Sequence, residues 1–473
     1  MSARFVLFLV APVLLAGCAS FSPDGGMGEV AQDVKRETGA QAVKIDSVEA
    51  AQKARERVTA LLTEPLSSDA AVQVALLGNR DLQAAYNDLG ISEADYVQQS
   101  LPPNPRLSFA NFGGTGVADF ELRLIQDILS LVTLPQRSKI AAEHFEHAKH
   151  GAVQTTLALA GDVRRAWVRT IAAERQVRFL DEARRTADES ARLIAKLGEA
   201  GGGDQLDQAE IAAFYAELSV RVGQVRLAAR RQRETLTRLL GLWGGDVNFK
   251  LPDDLPPLPG EPDATTDIET QAINRRVDLV MARHDVVALA KSLRLTQATR
   301  YVSMLQLAGL VNNENANPLT TSNTSITRGG GALELEIPIF DTGEARERKA
   351  RETYMRAVNR LAAKAVNARS EARIASDAYR STYDIARFYE KRLLPLRQVV
   401  SQQMALRYGS AVLANESMRV DYFRVLADQR ARIAANAAAL DARRDFDLAA
   451  IDLQAALTFG LGPAEPSAVM TGN

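Results

Sequence analysis

Residues 331–341 read GALELEIPIFD, and the chain changes character there. Leu333, Leu335, Ile337 and Ile339 take every second position while Glu334, Glu336 and Pro338 take the others. That two-residue period is the mark of a strand with one apolar face, so the carboxylates turn toward water. Thr342-Gly343-Glu344 follows, and then a run of more than about sixty residues rich in Ala, Arg, Leu and Glu with almost no breaker, which is a very long helix.

Upstream of this point the spacing predicts a helix to about Thr299, a strand from Tyr301 to Leu310 and a polar loop from Asn312 to Gly330. Downstream it predicts a long helix from Gly343 to about Tyr408, kinked at Pro395, a turn at Gly409-Ser410 and a return helix to about Phe459. The first half has the same plan. A capped helix from Ser67 to Gln99 stops at three closely spaced prolines, Pro102, Pro103 and Pro105. Arg106–Phe112 and Asp119–Ile128 then form a hairpin about Gly113-Gly114-Thr115-Gly116. From Gln136 a helix of about sixty residues, about 90 Å at 1.5 Å per residue, carries one stripe of Val153, Leu157, Ala160, Val163, Trp167, Ile171, Val177 and Leu180. It ends in the glycines near 198–203, and a return helix runs from Asp204 to about Leu240.

Ala272-Ile273, Asp278-Leu279 and Ala282 echo Ala75-Leu76, Asp81-Leu82 and Ala85 at a constant displacement of about 197 positions, the signature of internal duplication. The expected boundaries are 1–17 for a signal peptide, 18–66 for a weakly structured leader with one helix at Val48–Thr63, and 67–242 for a first repeat. A Pro-rich linker at 243–266, a second repeat at 267–461 and a tail at 462–473 complete the chain.

Aromatic residues make up only 6% of a chain that is 46% hydrophobic, which suits thin helix packing better than a thick globular core. A formal charge of -1 gives no electrostatic reason to expect nucleic acid. Arg4 and the apolar Phe5 to Ala16 form an export signal too short for a membrane span. It ends in Leu15-Ala16-Gly17-Cys18, which resembles the bacterial lipobox, and Cys18 is the only cysteine. That resemblance implies cleavage before Cys18 and lipid on its thiol and amino group. Ala19 in place of aspartate is compatible with sorting to the outer membrane. No later segment has the uninterrupted apolar length of a transmembrane helix, so any span must be β-structure.

The sequence Leu333 to Arg346, LELEIPIFDTGEAR, together with the duplicated layout and the lipobox, resembles the TolC family of outer-membrane efflux ducts over nearly all of residues 67–461. The strand-to-helix corner is carried by Pro338, Asp341 and Gly343. The resemblance implies a mainly α chain with a small β part. Long antiparallel helical hairpins would form an α-barrel, and four transmembrane strands per chain would contribute to a trimeric twelve-stranded β-barrel. It implies a homotrimer anchored in outer-membrane lipid and extending into the periplasm, with a periplasmic adaptor and an inner-membrane transporter as partners. The first corner, Leu131 to Arg137, lacks the aspartate and glycine of the second. Independently, four strands are too few to close, and an open edge in lipid leaves unpaired amides.

No catalytic constellation is present, and neither an enzyme activity nor a cofactor is expected. His144, His147 and His150 recur three apart, a spacing that brings imidazoles to one face for a metal. With Glu143 and Glu146 interleaved they read as a solvated helix surface, and no metal is assigned. In a duct, three symmetry copies concentrate charge where the bore narrows. The family uses acidic residues just past the helical turns, and the nearest matches are Asp204 and Asp207 in the first half and Glu416 and Asp421 in the second. Glu334 and Glu336 are the candidates for the barrel lumen. The expected function is passive conduction of substrates from an inner-membrane pump and periplasmic adaptor to the exterior. The alternative is a periplasmic coiled-coil structural lipoprotein without channel activity. The substrate stays open among metal ions, drugs, other small molecules and protein.

Overall fold

The computed structural model describes residues 20–114, 117–199, 205–262, 266–316, 325–414 and 418–461. Helices α1 (Met27–Thr38), α2 (Val48–Leu61), α3 (Ser68–Gly78) and α4 (Arg80–Gln99) lead into strands β1 (Arg106–Gly114) and β2 (Val117–Asp127). Helices α5 (Ile128–Glu199) and α6 (Gln205–Leu240) follow. The same order recurs as α7 (Ile268–Arg275), α8 (Val277–Ala298), β3 (Leu305–Ala316), β4 (Ser325–Leu335), α9 (Glu344–Phe388), α10 (Leu394–Ala414) and α11 (Met418–Thr458). The fold is mainly helical with a small β part. Two compact units are present, one drawn from 1–29, 86–152 and 278–365, the other from 30–85, 153–277 and 366–473.

The first unit contains the only sheet among the described residues, antiparallel with order β1-β2-β3-β4. The hairpin boundaries differ from the expected ones. β3 runs on through Asn312–Ala316 and β4 begins at Ser325, so most of the anticipated polar loop is paired strand. Asn312, Asn313, Glu314 and Asn315 are polar at successive positions, so hydrophobic spacing does not register the strand. At the other end β4 stops at Leu335, although Ile337 and Ile339 continue the alternation. The last ladder bond, Glu336 N–H to the Met304 carbonyl, is 3.4 Å long, and Pro338 has no N–H to offer.

The first strand-to-helix corner also lies earlier than expected. α5 begins at Ile128 and carries Pro135 as its eighth residue. Asp127 makes the start: its Oδ1 accepts from Ser130 N at 2.9 Å and its Oδ2 from Ser130 Oγ at 2.7 Å. These bonds satisfy a donor that the new helix leaves free. The aspartate missing from Leu131–Arg137 is therefore supplied four residues upstream.

The second unit is helix packed on helix. On α5, Val153, Leu157, Ala160, Val163, Trp167, Ile171 and Leu180 of the stripe read from the sequence are buried, and Val177 is half-buried. Leu180 and Ala187 pack with Phe214, Leu218 and Val222 of α6 and with Leu426 and Ile433 of α11. A second cluster joins Tyr379, Tyr383 and Ala386 of α9 to Phe446 and Leu453 of α11, with Leu258 of the Pro-rich linker laid against it. The linker is held at its carbonyls: Leu66 N donates to Lys250 O at 2.9 Å, and Tyr383 Oη donates to Gly260 O at 2.6 Å.

The leader is more ordered than a weakly structured segment. Gln73 Nε2 donates to Gln41 O while Gln73 Oε1 accepts from Gln41 N, and Gln83 makes the same kind of pair with Val43 O and Ile45 N. Two buried amides thus satisfy an extended backbone that has no strand beside it. α1 escaped the sequence reading because it is short and polar, yet Val30 and Val34 are fully buried.

Between α9 and α10 the residues Tyr389–Leu393 form one π-helical turn, with Leu394 N donating to Tyr389 O. The wider turn comes directly before Pro395, whose ring and missing N–H would break a regular α-turn. The anticipated turn at Gly409-Ser410 is helix: α10 runs on to Ala414. A single glycine inside a helix costs about 1 kcal/mol, which the neighbouring helix formers outweigh.

Candidate functional site

The site is the four-stranded sheet and the corner that follows it. Ladder pairing sets Leu107 beside Leu124, Phe109 beside Leu122, Leu307 beside Leu333 and Leu305 beside Leu335. All of these share one face, because side chains alternate along a strand. Phe109 and Phe120 meet edge to face there at 4.5 Å. The face is open: Leu107 and Leu333 are each 68% exposed.

The other face carries Asp119, Glu121 and Arg123 from β2, Gln306 and Asn312 from β3, and Arg328 and Glu334 from β4. Arg123 lies between two carboxylates, with Nε 3.4 Å from Glu121 Oε1 and Nη2 3.4 Å from Glu334 Oε1. Asp119 Oδ1, Arg123 Nε and Asn312 Oδ1 are enclosed yet have no hydrogen-bond partner among the described residues. Buried polar atoms of this kind call for water or another polar partner, and Asn313 Oδ1 on the opposite face is in the same position. The two faces thus differ in chemistry: one carries an open array of leucines and phenylalanines, while on the other the Arg123 and Glu334 side chains, 36% and 42% exposed, pair with each other, although Phe112 and Ile326 are exposed on that face too.

Glu334 lies on the charged face as part of this group. Glu336 lies beyond the end of β4, where its Oε2 accepts from Ser303 Oγ at 2.5 Å. Pro338 ends the ladder, and Ile337, Ile339 and Phe340 stay exposed around it. Asp341 Oδ1 then accepts from Gly343 N at 2.9 Å. Gly343 has φ +75°, a region that favours a residue without a Cβ. Arg300 bridges the corner, donating from Nε to Thr342 O at 3.1 Å and from Nη1 to Glu347 Oε2 at 3.0 Å. The Gln297 hydrogen bond, with Arg300 and Arg351, holds the Glu347 carboxyl below its usual range.

The three spaced histidines have three different environments. His144 is exposed. His147 Nε2 lies 3.5 Å from Asp285 Oδ2, and His150 stacks on His284 at 5.4 Å. His284 Nδ1 is 2.7 Å from Glu143 Oε2, and Lys291 Nζ is 2.8 Å from the other oxygen of that carboxyl. Burial pushes the His147 imidazole down from its usual value, against the pull of Asp285. Among the described residues no group of three or more His, Cys, Asp or Glu is placed to hold a metal ion.

Of the tip acids, Asp207 lies in the first turn of α6 and Asp421 in the first turn of α11. Asp204, Glu416 and Cys18 lie outside the described residues. One ionisable pair was not legible in the sequence. Asp447 and Arg443, four apart on α11, are 3.3 Å apart and both largely buried. Burial outweighs their mutual attraction, pushing Asp447 up to about 6 and Arg443 down. Among the described residues no helix is long and apolar enough to cross a membrane.

No protein-family model matches the chain. It is 23% identical over 305 residues to the antibiotic efflux pump outer membrane protein ArpC of Pseudomonas putida, covering 58% of this chain and 59% of that one. The toluene efflux pump outer membrane protein TtgC of a second Pseudomonas putida strain matches to the same extent. The chain thus spans about 59% of the length of the curated relatives it matches. Among solved structures it resembles the outer-membrane channel OprN with TM-score 0.69 at 18% identity, covering 90% of this chain and 96% of that one. It resembles the outer membrane protein VceC of Vibrio cholerae with TM-score 0.67 at 14% identity over 83% and 96%. The open-state outer membrane channel MtrE of Neisseria gonorrhoeae gives TM-score 0.65 at 18% identity over 82% and 88%. The resemblance read from residues 333–346 and the order of elements is borne out.

Proposed function

We propose that this chain, which has the fold of the TolC-like outer-membrane efflux channels, is the outer-membrane duct of a tripartite efflux system. Three copies close their sheets into a twelve-stranded barrel, and their helices continue the bore through the periplasm as an α-barrel. Substrates pass through it passively, delivered by an inner-membrane pump and a periplasmic adaptor. Energy comes from the pump, and no catalytic step falls to this chain. The two halves are internal repeats, each supplying one hairpin. Cys18 carries the lipid anchor, and acidic residues past the helical turns, Asp204, Asp207, Glu416 and Asp421, narrow the periplasmic end.

The observation that carries this reading is the two-faced sheet: Leu107, Leu124, Leu307 and Leu333 lie open on one face, while Arg123 and Glu334 pair on the other. A lone soluble sheet would bury the first face and expose the second. A barrel wall in lipid needs the reverse, with every edge paired.

The test is to purify the acylated protein from outer membranes and measure its oligomeric state and conductance in planar bilayers. Heat-modifiable trimers with discrete conductance steps are expected. A non-conducting monomer would instead describe a periplasmic lipoprotein with no duct. Cys18→Ala is expected to remove the mass of the acyl chains and leave the conductance steps unchanged.

A further inference from the structure

Between α8 and α9 the structure holds a cleft of about 370 Å³. Ser292, Thr296 and Arg300 line it from one side, and Arg346, Lys349 and Thr353 from the other. Three cations face this space, and no carboxylate is among its lining residues. Lys349 Nζ has no hydrogen-bond or ion-pair partner among the described residues. The carboxylate paired with Arg346 is Asp341, at 3.6 Å. Arg300 commits Nε and Nη1 to Thr342 and Glu347, which leaves its Nη2 free to donate.

An unpaired cation beside two partly engaged guanidinium groups is a strong attractor for a phosphoryl oxygen, and hydroxyls from both helices line the same space. The cleft also has a fixed place in the fold. Arg300 lies five residues before β3 and Gly343 eight residues after β4, so the cleft sits at the base of that hairpin. In sequence beside Arg300 and Gly343, Tyr301, Leu335, Ile337, Ile339 and Phe340 are exposed, and Leu335 belongs to the apolar face of the sheet.

We propose that this cleft binds the phosphodiester headgroup of an anionic membrane phospholipid, with the acyl chains lying along Leu335, Ile337 and Ile339. The lipid source rests on the channel reading, which places the outer face of the sheet in a bilayer. The cation cluster itself does not depend on that reading. Arg300 positions the corner, while Lys349 and Arg346 make the selective contacts.

The test uses the full-length purified protein in detergent, titrated with phosphatidylglycerol, phosphatidylcholine or inorganic phosphate and read by native mass spectrometry. Wild type is expected to retain phosphatidylglycerol about tenfold more tightly than phosphatidylcholine, and Lys349→Ala with Arg346→Gln to lose that preference. Equal retention of the two lipids by wild type, or an unchanged preference in the double variant, overturns the proposal. Displacement of phosphatidylglycerol by millimolar inorganic phosphate overturns the lipid assignment and leaves a small-anion site. The wild-type lipid comparison decides the matter even if the variant fails to assemble. Bilayer conductance measured on the same preparation separates the two readings. A conducting protein without lipid preference sinks only the cleft, and a selective but non-conducting one sinks only the duct.

Discussion

The main-chain carbonyl oxygen of Arg300 lies 2.5 Å from the point where a Cβ on Gly343 would sit. No real Cβ tolerates that approach, and the glycine's φ of +75° already excludes most side chains. The strand-to-helix corner is therefore closed by a backbone-to-backbone contact that only glycine permits, with Asp341 capping it from outside.

Gly343→Ala is expected to destabilise the protein by about 1–3 kcal/mol, through the left-handed backbone and the clash together. Gly343→Asn tolerates the backbone conformation better but keeps the clash. Equal losses of heat-modifiable oligomer in the two variants would identify the Arg300 carbonyl as the cause, and full rescue by asparagine would assign it to the dihedral.

Substitutions on the two faces of the sheet are expected to behave oppositely. Leu333→Arg places a charge on the outer face, where it costs up to about 2–4 kcal/mol per copy, and is expected to abolish outer-membrane assembly. Glu334→Arg, one residue on, is expected to assemble normally and shift ion selectivity toward anions. Reversal potentials under a salt gradient, with outer-membrane yields of both variants, check this pair.

Asp447 gives a pH dependence of known sign. Its carboxyl titrates at about 6 in the folded chain against about 3.9 unfolded, so the folded state holds the extra proton between those values. That contribution is intact below the unfolded value and is lost as pH rises through about 6. Asp447→Asn removes the titration. Its unfolding free energy relative to wild type is therefore expected to be higher at pH 7.5 than at pH 5, by about 1 kcal/mol. A difference independent of pH would show that Asp447 is already ionised when folded at pH 5.

If the tip acids narrow the periplasmic end, joint replacement of Asp207 and Asp421 by alanine is expected to raise single-channel conductance without changing trimer yield. Unchanged conductance would place the constriction elsewhere.

Much of this fold was legible because its period is simple. The α5 stripe from Val153 to Ile171 and the alternation from Leu333 to Leu335 each have one face to bury or shelter, and spacing exposes that at once. The misreadings have local causes. Ile337 and Ile339 kept a strand's rhythm where no neighbouring strand remained to pair with them. Asn312–Ala316 looked like loop because strand signals are learned from apolar residues. Asp127 was overlooked as a cap because the alternating pattern placed it inside the strand Asp119–Ile128, where a cap is not looked for. The cleft between α8 and α9 was invisible because Arg300 and Lys349 lie far apart in the chain, and spacing along one helix says nothing about the cation opposite.

The π-turn at Tyr389–Leu393 fixes the azimuth of everything after it. It fits one residue more into its span than an α-turn does, which turns the remainder of the chain by about 100° about the helix axis. Deleting any one of its five residues would let the helix run straight on and swing Leu394 through Ala414 toward the wrong neighbours. This short segment therefore tolerates exchanges of side chain far better than changes in length.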